Sequence, residues 1–92
     1  MLRFFWGDRM TQYLIMCRSV TAAQRAARLL ERSLIHAAVT KAPSSLTRSG
    51  CAYAVRLRGK LEDALRLLRK NEIPFGKIYV SEDGKEFREV SL

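Results

Sequence analysis

Cys17 and Cys51 are the two thiols of this sequence, and Cys51 closes the run Thr47-Arg48-Ser49-Gly50. A polar, glycine-bearing approach to an apolar stretch can hold a thiol uncovered at a strand entrance. The reacting form of cysteine is the thiolate, which neighbouring cations favour. Arg48 stands three residues before Cys51, Lys41 begins the same connecting segment, and Arg18 follows Cys17. Ser49 and Gly50 add backbone N–H groups that can hold an anion, and Gly50, without a Cβ, allows close approach. If these groups converge, Cys51 ionises below the ordinary thiol value of about 8.5. The same cluster attracts a small anion such as hydrosulfide or hydroselenide. The plainer alternative is that Cys51 opens a strand as a small apolar side chain. Cys17 faces a similar choice between resolving a persulfide on Cys51 and packing in the core, and packing is the default.

The rest of the inventory narrows the chemistry. His36 is the one histidine, and the cysteines have no zinc-type spacing, so a metal site from one chain is not expected. Paired carboxylates, a Ser/His/Asp set and a phosphate loop are not visible, which argues against a conventional enzyme and against a bound cofactor. His36 reads as a turn residue, with no acidic neighbour evident. Lys and Arg number 17 against 9 acidic residues, for a net charge of +8. That balance favours anionic partners: nucleic acid, an acidic protein surface or a small anion. Two cysteines are too few for a secreted disulfide scaffold, so a reducing, bacterial-type cytoplasm is expected.

At 92 residues the chain is one domain, with enough apolar content to fold. The opening run MLRFFWGDRM has an apolar stretch, Leu2 to Trp6, too short for a signal peptide or a membrane span. The ordered domain is expected over 11–92, with 1–10 as an N-terminal extension. The alternative is an arm that packs Phe4, Phe5 and Trp6 onto the domain or onto a second subunit.

A repeat supplies the elements that must position the thiols. A shift of 38 residues lays Ile15 on Tyr53, Cys17 on Val55 and Arg18 on Arg56. It also lays Ala23, Ala26, Ala27 and Leu30 on Leu61, Ala64, Leu65 and Leu68. Both apolar sets step by three, four and seven, one face of a helix. Each copy reads strand, helix, strand. The first has a strand from Tyr13 to Cys17, a helix from Thr21 to Ser33 and a strand from Ala37 to Thr40. Ser19 or Thr21 can cap that helix, with Gln24 completing a capping box after Thr21. The second has a strand from Ala52 to Arg58, a helix from Leu61 to Lys70 and a strand from Phe75 to Val80. Glu86 to Val90 suits a short edge strand. Two such units give an α+β, ferredoxin-like βαββαβ sandwich, a four-stranded antiparallel sheet with two helices on one face. The first and third strands are then central and antiparallel, which brings Cys17 and Cys51 to one edge of the sheet. A pseudo-twofold between Ile15 and Tyr53 would set Cys17 directly opposite Cys51, within disulfide reach.

The segments YLIMCRSVTAAQRAARLLERS and KAPSSLTRSGCAYAVRLRG together resemble a small bacterial family of selenium/sulfur carrier-like proteins. Ser19 and Ala22-Ala23 match its strand-to-helix element; Pro43, Ser44, Arg48, Ser49 and Cys51 match its Pro-rich loop and strand-head cysteine. Coverage is about residues 11–80. The sequence departs from the pattern in three places. Gly50 precedes the cysteine where the family has a Gly after it, Leu34 replaces a helix-ending Gly, and His36 replaces a Pro. The resemblance implies a chalcogen held on Cys51 and passed to or from a selenium- or sulfur-transferring protein.

Two other classes compete. Ferredoxin-like sheets often bind RNA through exposed aromatics, but CAYAVRLRG lacks the aromatic-Gly-aromatic pattern, and Tyr53 falls on the face expected to meet the helices. A regulatory or assembly module is the third class, a homodimer formed through a sheet edge or through Phe4–Trp6.

Overall fold

The computed structural model describes residues 11–43, 46, 52–82 and 86–90. The expectation for residues 1–10, and those for Arg48, Ser49, Gly50 and Cys51, lie outside the described residues.

Seven elements follow one another: β1 (Gln12–Cys17), α1 (Val20–Arg32), β2 (Ala37–Lys41), β3 (Tyr53–Leu57), α2 (Leu61–Lys70), β4 (Ile78–Ser81) and β5 (Arg88–Glu89). The sheet is antiparallel throughout, in the order β2-β3-β1-β4-β5. The architecture is α+β, and the first six elements run in the expected βαββαβ order. The expected count of four strands is corrected to five. Val90 donates its N–H to the Ile78 carbonyl at 2.7 Å, and β5 lies along what would have been the open edge of β4.

Strand alternation divides the side chains between two layers. Ile15, Cys17, Val55, Leu57 and Ile78 face the helices and pack with Ala23, Ala26, Leu30, Ala64, Leu65 and Leu68. This main core holds the apolar stripe that the repeat marked out. The opposite face is not bare. Leu14, Met16 and Ala54 are buried there beneath Ala42, Leu46, Tyr79 and Phe87.

Helix α1 begins one residue earlier than its sequence suggests. Ser19 is the N-cap, and its Oγ accepts from the Ala22 N–H at 3.1 Å. Thr21 therefore lies inside the helix, and the Thr21/Gln24 capping box does not form. Both helices end alike. The Ile35 N–H donates to the Leu30 carbonyl and the Leu34 N–H to Glu31; the Ile73 N–H donates to Leu68 and the Glu72 N–H to Arg69. This is the Schellman arrangement, and the residues whose apolar contact commonly accompanies it, Ile35 and Leu30, Ile73 and Leu68, are all buried in the main core. The residue that turns the corner takes a left-handed φ, 64° at Leu34 and 57° at Glu72. Such a conformation costs an L-residue with a side chain roughly 1–2 kcal/mol relative to glycine. Leu34 gains no burial in return, being 86% exposed. Leu34→Gly is expected to raise stability by about 0.5–1 kcal/mol once the extra freedom of unfolded glycine is subtracted. A denaturant midpoint that fell instead would show that the leucine side chain holds the turn.

The fourth strand starts later than its apolar pattern, at Ile78 rather than Phe75. The Gly76 N–H donates to the Met16 carbonyl at 2.7 Å, while the Met16 N–H donates to the Lys77 carbonyl at 2.9 Å. Two residues thus oppose one, the pattern of a β-bulge, and regular pairing is delayed. Among the described residues, no helix is long and apolar enough to cross a membrane.

Candidate functional site

The C-terminal ends of β1 and β2 and the N-terminal end of β3 meet at one end of the sheet. There Cys17 is level with Tyr53, and Tyr53 with Lys41, across three adjacent strands. Neighbouring strands lie about 4.8 Å apart, so Lys41 and Cys17 are separated by roughly 10 Å of backbone. Ala42 donates its N–H to the Ala52 carbonyl at 2.9 Å, which extends the β2–β3 ladder by one more rung. The connecting segment is tied down a second time through Leu46. Its N–H donates to Pro43 at 2.8 Å, and its side chain packs with the Leu14, Met16 and Ala54 cluster on the open face.

This register corrects the expected meeting of the cysteines. Ile15 pairs with Val55 and Cys17 with Tyr53, so Cys17 does not oppose Cys51. The axis that relates the repeats runs between Met16 and Ala54, one residue beyond the expected Ile15 and Tyr53, and each step of the axis moves an antiparallel register by two. Cys17 is fully buried on the helix side, and its Sγ–H donates to the Ile15 carbonyl at 3.6 Å. In that position it is a core residue, and a resolving role would require it to leave the core.

Arg18 sits just past β1, where the chain turns into α1. A cleft of about 340 Å³ opens beside it, lined by Arg18, Ser19, Ala22, Pro74, Phe75 and Gly76. The first turn of α1 carries no acidic residue, so the positive end of the helix dipole is not offset there. The guanidinium of Arg69 lies 5.9 Å from the centre of the Phe75 ring, within cation–π distance. The cleft was not legible in the sequence, because Phe75 and Gly76 read as the start of a strand. Lys41 and Arg18, the described members of the expected cationic set, both lie at this end of the sheet. Among the described residues, no three His, Cys, Asp or Glu side chains come close enough to hold a metal ion. His36 is 93% exposed between α1 and β2, and its Nδ1 is 3.6 Å from Glu31 Oε2. An acidic neighbour therefore does exist, five residues back on the helix.

The open face bears on the nucleic-acid reading. A base-stacking sheet needs exposed aromatics on its central strands. Here those positions are Leu14, Met16 and Ala54, all buried, while Tyr53 is turned toward the helices. Arg56 is exposed on that face, but a cation does not by itself make a stacking platform.

These features define a small α+β domain with one cysteine sealed in its core and cations at the sheet end that receives the β2–β3 connection. The chain belongs to the family described as "Putative Se/S carrier protein-like", whose model matches residues 12–80. The search of curated proteins found no match, and neither did the search of solved structures.

Proposed function

We propose that this protein carries selenium or sulfur on Cys51 and exchanges it with a selenium- or sulfur-transferring protein, acting as a carrier rather than as an enzyme. The observation that carries the reading is the complete burial of Cys17. A carrier of this family needs an accessible thiolate, and of the two thiols in the sequence only Cys51 remains for that role. Arg18 and Lys41 support it as cations at the sheet end that favour a thiolate and a small chalcogen anion. Arg48, Ser49 and Gly50 add to them as the sequence neighbours of Cys51.

Loading is a thiol exchange. The Cys51 thiolate attacks the outer sulfur of a donor persulfide, R–S–SH. A new S–S bond forms on Cys51, the donor S–S bond breaks, and R–S⁻ departs while the proton stays on the transferred sulfur. With R–S–SeH the same exchange gives a selenosulfide. An acceptor thiolate reverses the step and releases Cys51 as a thiolate, so no oxidant is required.

The test is to treat the purified full chain with a low-molecular-weight persulfide, remove the excess, weigh the intact protein and map the modified peptide. One added chalcogen atom per chain is expected, on the peptide containing Cys51 and removable by a thiol reductant. Absence of the added atom, or its location on Cys17, would overturn the assignment.

A further inference from the structure

We infer that the outer edge of β2 is a self-association surface, taken by the same strand of a second copy in antiparallel register about Val39. The inference is independent of what Cys51 carries.

Backbone parity identifies the free groups. The Ala42 N–H points inward to Ala52 of β3. Alternation and the β2–β3 register then direct Ala38 and Thr40 inward as well, toward Arg56 and Ala54. Ala37, Val39 and Lys41 consequently turn their N–H and C=O groups outward. A separate contact agrees: the Ala37 N–H is held by Glu31 Oε2 at 3.2 Å, on the side away from β3. Among the described residues, no hydrogen-bond partner meets the outward N–H or C=O of Val39. The two edges of the sheet are therefore unlike. The β4 side is covered by β5, whereas among the described residues nothing pairs with the outer side of the five-residue strand β2 at its centre.

The side chains select a second copy as the occupant. Val39 is 36% exposed and opens onto a groove of about 330 Å³, lined also by Gln24, Ala27, Arg28 and Glu31 of α1. A twofold axis at Val39 lets each copy donate its Val39 N–H to the other's Val39 carbonyl. The same axis sets Lys41 against Ala37 of the partner copy, so no like charges face each other along the strands. It also brings the two α1 helices to the same side of a continuous sheet, because the axis between antiparallel strands is perpendicular to it. Each groove offers its counterpart the Arg28 guanidinium and the second carboxylate oxygen of Glu31, whose Oε2 is already held by the Ala37 N–H. The net charge of +8 per chain opposes association, so the dimer is weak and tightens as salt screens that repulsion. An acidic foreign strand would show the reverse salt dependence.

Val39→Pro is the decisive variant. Proline deletes the outward N–H and keeps the inward ladder of Ala38, Thr40 and Ala42. Sedimentation of the full chain between roughly 10 and 1,000 µM is expected to show a reversible dimer, in keeping with an interface at the small end of the size range. Val39→Pro is expected to be monomeric throughout, with the circular dichroism spectrum of the parent. Val39→Lys, which keeps the N–H but sets two ammonium groups at the axis, should weaken the dimer at least tenfold and decides the matter if the proline variant does not fold. A parent chain monomeric over the whole range, or a dimer that survives in the folded variants, would overturn the inference.

Discussion

Cys51→Ser is expected to abolish chalcogen loading while leaving the circular dichroism spectrum and the melting temperature close to those of the parent. A serine hydroxyl is nearly the size of a thiol, but it stays protonated at neutral pH and cannot displace a thiolate from a persulfide. The loss should therefore be complete rather than graded. The counterpart is Cys17→Ala. Cys17 lies in the main core among Ile15, Val55 and Ala23, so its truncation should cost about 1–2 kcal/mol of stability through lost packing. Loading should persist, since the atom that reacts is elsewhere. The pair of variants separates the two thiols by readout: one changes mass uptake and the other changes stability. Loading that survives in Cys51→Ser, or disappears in a folded Cys17→Ala protein, would sink the assignment.

Leu68→Ala is expected to lower the unfolding free energy by about 2–5 kcal/mol, the cost of emptying a fully enclosed site. In a domain of this size that corresponds to a fall in melting temperature on the order of 10–20 °C. Leu68 fills the main core and supports Ile73, the residue that closes the α2 cap. Leu30 does the same for Ile35 at the end of α1, so Leu30→Ala should cost a similar amount. Leu29 and Leu67, one position earlier in each helix, are only partly buried, and their alanine variants should cost about half as much or less. Denaturant midpoints of the four variants check the prediction. Equal losses at Leu67 and Leu68 would mean that α2 is rotated relative to the sheet.

The helices and their buried faces were legible because a 3.6-residue period is a strong signal, and the repeat supplied it twice. The meeting of the cysteines was misjudged for a definable reason. A one-residue slip between strands turns every side chain to the other face, but a slip of two keeps every face unchanged. Both candidate registers put Ile15, Cys17, Tyr53 and Val55 toward the helices, so apolar alternation could not choose between them. The second layer was missed because the expected sandwich carries its helices on one face, and Met16 and Ala54 alternate onto the other. What covers them, Leu46 and Phe87, comes from segments without a period of their own. Ser19 was available as the cap, but Thr21 with Gln24 offered an equally good local pattern. Leu34 shows the converse: its departure from glycine was visible, while its left-handed backbone follows from the closing of the cap.

The strand order β2-β3-β1-β4 also governs how the chain can reach this state. In neither repeat do the two strands touch each other. β1 needs β3 and β4, and the segment between β1 and β2 cannot make a sheet from its own strands. The duplicated halves are thus interlocked and fold only as one unit. The antiparallel β2–β3 pair is the most local strand pairing available before α2 forms, and β1 must then close separations of 36 residues and more to insert beside β3 and β4. Pairing of strands so far apart in sequence places the domain with the mixed α/β folders, slower than helical bundles of its length.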